Sequence, residues 1–85
     1  MLRKTIVIKN TLGIHARPAA SFVKTAQKFK SSVKVVKDGI EANGKSILDL
    51  LVLAAERGST VELVVDGEDE EQAMATLSKL LEGRA

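Results

Sequence analysis

Short β-branched runs alternate along this chain with stretches whose apolar residues recur at helical spacing. The run KTIVIK predicts a strand over residues 3–9. Between 16 and 29, Ala19, Phe22, Val23 and Ala26 stand at i, i+3, i+4 and i+7, one face of a helix. VKVVK (33–37) predicts a second strand, Asp38-Gly39 a hairpin turn, and IEAN (40–43) a short third strand. SILDLLVLAAERG (46–58) predicts a second helix. Ser46 is its N-cap, Asp49 follows three residues on in capping-box fashion, and Arg57-Gly58 is its end. TVELVV (60–65) predicts a fourth strand with Val61, Leu63 and Val65 on one face. A closing helix over 67–83 carries Ala73, Met74, Leu77, Leu80 and Leu81 as its buried stripe, with acidic residues 68–71 at its positive end.

The order is βαββαβα. In an α+β fold, its simplest arrangement is a mainly antiparallel sheet with helices on one face. A ferredoxin-like sheet fits the same string, so order alone leaves the strand arrangement open.

Composition narrows the function. With 85 residues the chain makes one domain, 1–85, with a modest core and no room for a large cleft. Thirteen basic and eleven acidic residues leave a net charge of +2, too balanced to argue for nucleic acid, and two Phe give no base-stacking platform. The absence of cysteine excludes disulfides, thiolate metal sites and thiol nucleophiles. The first ten residues have too short an apolar run for a signal peptide, and no stretch is long enough to span a bilayer. A cytoplasmic monomer without metal or cofactor is expected.

The only histidine, His15, and the only proline, Pro18, stand three apart in LGIHARPAA (12–20), where the first helix is about to begin. Pro18 in the first turn costs no hydrogen bond. The free N–H groups of that turn and the helix dipole favour an anion, and Arg17 adds a guanidinium fork. An imidazole with an ordinary pKa of about 6.5 is a largely neutral nucleophile near pH 7. Nucleophile, amides and guanidinium converge within one turn, as reversible phosphorylation of an imidazole requires. By itself this local pattern is equally met by a capping His, a solvated Arg17 and a turn at Gly13.

The full string GIHARPA closely resembles the active-site motif of the histidine-containing phosphocarrier (HPr) family of the bacterial phosphoenolpyruvate-dependent phosphotransferase system. The hairpin, GKSI, the second helix, the fourth strand and the closing helix follow at the family's spacing, so the resemblance covers essentially the whole chain. It implies an open-faced β-sandwich of four antiparallel strands with three helices on one face. It implies a carrier rather than an enzyme, in which His15 accepts phosphate on Nδ1 from phospho-enzyme I and donates it to enzyme IIA. Arg17 would steady the phosphoryl group, the Ala16 and Arg17 amides would face it, and Pro18 would shape the turn.

GKSI matches the family's regulatory site at Ser46, the target of HPr kinase/phosphorylase in many relatives. Ser46 is also fully explained as a helix cap, and phosphate at an N-cap is electrostatically tolerated. Ile47, Leu48 and Leu51 are implied as a docking patch beside His15 for enzyme I and enzyme IIA. Ala16 and Ala20 would allow close approach and Lys24 would add charge, while Leu50, Leu53 and Ala54 are core. Many sugar-branch relatives carry Met then Gly after KSI, where this chain has Leu48 and Asp49, and Asp49 would repel a phosphate on Ser46. NTLGIHARPA also resembles the carriers of the nitrogen-related branch.

A rival pattern is present. GIEANGKS (39–46) satisfies G-x-x-x-x-G-K-S, follows a strand and precedes a helix, and LVVD ending at Asp66 imitates a magnesium-binding strand end. A small ATP-binding protein would need these residues wrapped as a nest of amides. The hairpin signal predicts them extended instead. A module that only binds partners, with an unreactive His15, is the third class.

Overall fold

The first strand, β1 (Leu2–Val7), forms one edge of a four-stranded sheet in a computed structural model that describes residues 1–9, 16–53 and 58–82, residues 16–18 by backbone alone. The remaining elements are α1 (Ala16–Ala26), β2 (Ser32–Lys37), β3 (Ile40–Asn43), α2 (Ile47–Leu53), β4 (Thr60–Asp66) and α3 (Glu70–Leu81).

The strand order is β1-β4-β2-β3 and every neighbouring pair is antiparallel. β4 therefore lies between β1 and β2, and β2 lies between β3 and β4, so both β-α-β connections are split by an intervening strand. Register sets the faces. Lys4 pairs with Leu63, Leu63 with Val35 and Val35 with Ala42, a row directed at the helices. Leu63, Val35 and Ala42 are buried in this row. At its edge Lys4 replaces an apolar residue and reaches Glu82 at 3.9 Å, a charge that discourages pairing with another chain's strand.

Ala19, Phe22, Val23 and Ala26 of α1 are all buried, as their spacing predicts. So are Leu50 and Leu53 of α2, and Ala73, Met74, Leu77 and Leu81 of α3. Each fully buried leucine contributes about 2 kcal/mol of transfer free energy. The other sheet face carries Arg3, Glu62, Lys34 and Glu41, with exposed pairs between Arg3 and Glu62 and between Lys34 and Glu41.

Several boundaries move. α1 ends at Ala26, not 29, because Lys28 N–H bonds to Thr25 O and Phe29 N–H to Ala26 O, a tightened last turn. β1 ends at Val7 rather than 9, and Ile8 N–H goes to Ser59 O while Lys9 N–H goes to Leu81 O. α3 begins at Glu70, not 67, and Leu80 in its stripe is only partly buried while Ser78 is buried. β2 and β4 each gain one residue, and β3 runs as predicted. Asp38 (φ 51°) and Gly39 (φ 79°) both adopt positive φ, the signature of the tight β2–β3 hairpin. The predicted helix tail 54–57 lies outside the described residues.

Candidate functional site at the start of the first helix

α1 begins at Ala16, so the only histidine of the chain immediately precedes the helix. His15 and Gly13 lie outside the described residues, and for Ala16, Arg17 and Pro18 only the helical backbone is described. That backbone puts Pro18 in the first turn, the position its sequence context predicts. The first turn contains no acidic residue. Further along α1, Ala20 and Lys24 are exposed.

α2 packs beside α1 and presents an apolar surface. Leu48 and Val52 are 74% and 78% exposed, Ile47 is 41% exposed, and Leu51 is half-buried against the core. Of the implied patch of Ile47, Leu48 and Leu51, the first two are exposed and the third only partly so. Val52 belongs to the exposed surface and was missed. Four residues beyond Leu48, it lies on the same helix face, a spacing that was available in the sequence.

The α2 cap is built differently from the predicted box. Ser46 is half-buried, and its Oγ accepts the Asp49 N–H at 3.2 Å. The reciprocal arm does not return to Ser46. The Asp49 carboxylate accepts the Asn43 N–H at 3.0 Å, and Asn43 Oδ1 accepts the Lys45 N–H at 2.9 Å. The Ser46 N–H goes to Asn43 O instead. One carboxylate thereby ties the end of β3 to the helix that follows.

The phosphate-loop pattern at 39–46 is overturned by the sheet. Ile40–Asn43 is an extended strand in antiparallel register with Lys34–Lys37, not a wrapped cradle. Lys45, in the position of the pattern's lysine, donates from Nζ to the Phe29 carbonyl at 2.8 Å. Asp66 ends β4 near the Met1 ammonium group, at 3.4 Å.

The decisive observation is the match of residues 2–83 to the family model described as PTS HPr component phosphorylation site. The chain belongs to the HPr family. It is 48% identical over 83 residues to the phosphocarrier protein HPr of Neisseria meningitidis serogroup A, covering 98% of this chain and 93% of that one. The crystal structure of HPr-C-His from Thermoanaerobacter tengcongensis superposes with a TM-score of 0.92 at 48% identity, covering 96% of this chain and 92% of that one. The Bacillus subtilis catabolite repression protein Crh, solved as a swapped dimer, superposes with a TM-score of 0.81 at 38% identity, covering 100% and 98%. Membership in the HPr family makes this chain a phosphocarrier of the phosphotransferase system and agrees with its antiparallel sheet and three helices. Among the described residues, no helix is long and apolar enough to cross a membrane.

Proposed function

We propose that His15 is the phosphoryl-carrying residue, taking the group from phospho-enzyme I and passing it to the histidine of an enzyme IIA. The observation that carries this reading is the family match over 2–83 in a chain whose one histidine directly precedes α1. In the first transfer the P–N bond of the donor breaks as a P–N bond forms on Nδ1 of His15. In the second the same bond breaks, and the free imidazole is restored. No net bond is made in the carrier, so it acts as a shuttle and turns over no small molecule.

The first-turn amides of α1 and the Arg17 guanidinium stabilise the added charge, each bond to such an oxygen being charge-assisted. Pro18 leaves those amides uncontested. Ala20, Lys24, Ile47, Leu48 and Leu51, joined by Val52, form the docking surface for both partners. Its support is the exposure of Leu48 and Val52 on a helix that packs against α1.

A second modification at Ser46 is supported by its partial exposure and its cap position. The Asp49 carboxylate is engaged with the Asn43 N–H. A phosphate on Ser46 would add negative charge beside the docking surface and slow transfer, with HPr kinase/phosphorylase as the partner.

The test is mass spectrometry after incubation with phosphoenolpyruvate and enzyme I. One added phosphoryl group that brief acid removes, and that His15→Ala abolishes, is the expected result. Undiminished phosphorylation of His15→Ala would refute the assignment.

A further inference from the structure

At the far end of the hairpin from its Asp38-Gly39 turn, the start of β2 and the end of β3 border a surface groove of about 520 Å³. Among the described residues Lys30, Lys34 and Lys45 line it, with Glu41 the single carboxylate, and the strand positions of Val33 and Ala42, whose side chains are buried in the core, lie beneath it. Three lysines and one glutamate among its described lining residues make the border of the groove itself basic, with Asp69 and Asp49 bonded to the backbone behind it.

The groove is not a chance meeting of mobile lysines. Lys45 is half-buried, and its Nζ donates to the Phe29 carbonyl at 2.8 Å. An ammonium has three donors, and this bond uses one of them. The backbone beneath is cross-linked by Asn43 Oδ1 to Lys45 N–H, by Asp49 to Asn43 N–H, and by Gly44 N–H to Val33 O at 2.7 Å. Lys30 is held at its own amide, which Asp69 accepts at 2.8 Å. Lys34 is the adjustable member. Its pair with Glu41 spans 3.5 Å between exposed side chains, an arrangement weak enough to be exchanged for a ligand.

We propose that this groove is a binding site for a small soluble polyanion carrying two linked phosphate groups. Opposite several lysines, a diphosphate offers more anionic oxygens for charge-assisted bonds than a single phosphate does. Among the site's described lining residues none belongs to the exposed apolar face of α2. Through Asn43 and Asp49 it is bonded to the loop that carries Ser46, so a bound ligand would stiffen that loop.

Backbone-amide NMR of the intact protein, titrated with inorganic pyrophosphate at constant ionic strength, tests it. Saturable shifts should centre on Ser32, Lys34, Asn43 and Lys45, with orthophosphate binding more weakly. Lys30→Gln and Lys34→Gln should each weaken pyrophosphate about fivefold, the scale of one exposed ion pair. Glu41→Gln should tighten it, because it removes the carboxylate paired with Lys34. These exposed substitutions leave the core untouched, so folding does not obscure the result. Non-saturating shifts spread over all surface lysines, shifts confined to residues 12–18, or no gain in Glu41→Gln would overturn the proposal. So would binding to phosphatidylglycerol vesicles without saturable binding of pyrophosphate.

Discussion

Asp69 holds Ser31 from 38 residues away. Its Oδ1 accepts the Ser31 N–H at 2.9 Å and the Ser31 hydroxyl, while Oδ2 accepts the Lys30 N–H at 2.8 Å. Asp69 is the N-cap residue of α3, yet its side chain makes no bond to its own helix. It spends its acceptors instead on the turn between α1 and β2, whose amides would otherwise lack partners. Ser31 is fully buried, so Ser31→Ala should cost about 1 kcal/mol in denaturant unfolding through the lost hydroxyl bond.

The same clamp predicts a pH dependence. The Ser31 hydroxyl, followed by the Lys30 amide, lowers the Asp69 carboxyl below its ordinary 3.8. The Gly67 N–H, followed by the Met1 ammonium, lowers Glu70 below 4.5. Both groups therefore bind protons more readily unfolded than folded. Their stabilisation is complete above the unfolded values and is lost as pH falls through the lowered folded ones. The Met1 ammonium is raised above 8.0, chiefly by Glu70, so its part is present below 8.0 and fades as pH rises through the folded value. Unfolding free energy measured from pH 7 to pH 2 should fall on the acid side. Asp69→Asn should be less stable at pH 7 and flatten that fall. An unchanged acid limb in Asp69→Asn would contradict the clamp.

Gly44 is required for its lack of a side chain. A Cβ there would collide with Val33 Cγ1 and sit 3.2 Å from Phe22 Cε1, both in the core. Gly44→Ala should cost about 2 kcal/mol by overpacking, read as a lower unfolding midpoint. Gly39→Ala meets nothing within 4 Å and should cost less, through its positive φ alone.

Leu48 and Leu50 are near neighbours on α2 with opposite roles. Leu50 is 1% exposed and Leu48 74%. Leu50→Ala should lose about 3 kcal/mol of stability. Leu48→Ala should change stability by less than about 0.5 kcal/mol. Under the proposed function, Leu48→Ala should instead raise the KM for this carrier in phosphoryl transfer to enzyme IIA. Equal transfer kinetics with wild type would remove Leu48 from the docking surface.

Ser46→Ala should destabilise by about 1 kcal/mol, because it removes the oxygen that accepts the Asp49 N–H. Ser46→Asp restores an acceptor at the cap and should recover most of that loss in thermal unfolding. If it also slows phosphoryl transfer to enzyme IIA, added charge at this position is inhibitory, as the proposed regulation requires.

What was legible from the chain was what depends on near neighbours. The α1 face of Ala19, Phe22, Val23 and Ala26, the Asp38-Gly39 turn and the Ser46 cap all follow from spacings of a few residues, where geometry is set by the local backbone. The position of His15 at the start of α1 was legible for the same reason, and the motif around it pointed to the family. Contacts between distant segments were not legible. The placement of β4 between β1 and β2 depends on which apolar faces bury one another. Asp69 looked like one acidic residue among four at a helix start until the fold brought the α1–β2 turn against it. Lys30, Lys34 and Lys45 are unremarkable along the chain, and only the β2–β3 pairing gathers them around one groove. Short-range order is written in periodicity. Long-range partners are chosen when the sheet closes, because burial and hydrogen-bond satisfaction are then decided for the whole core together.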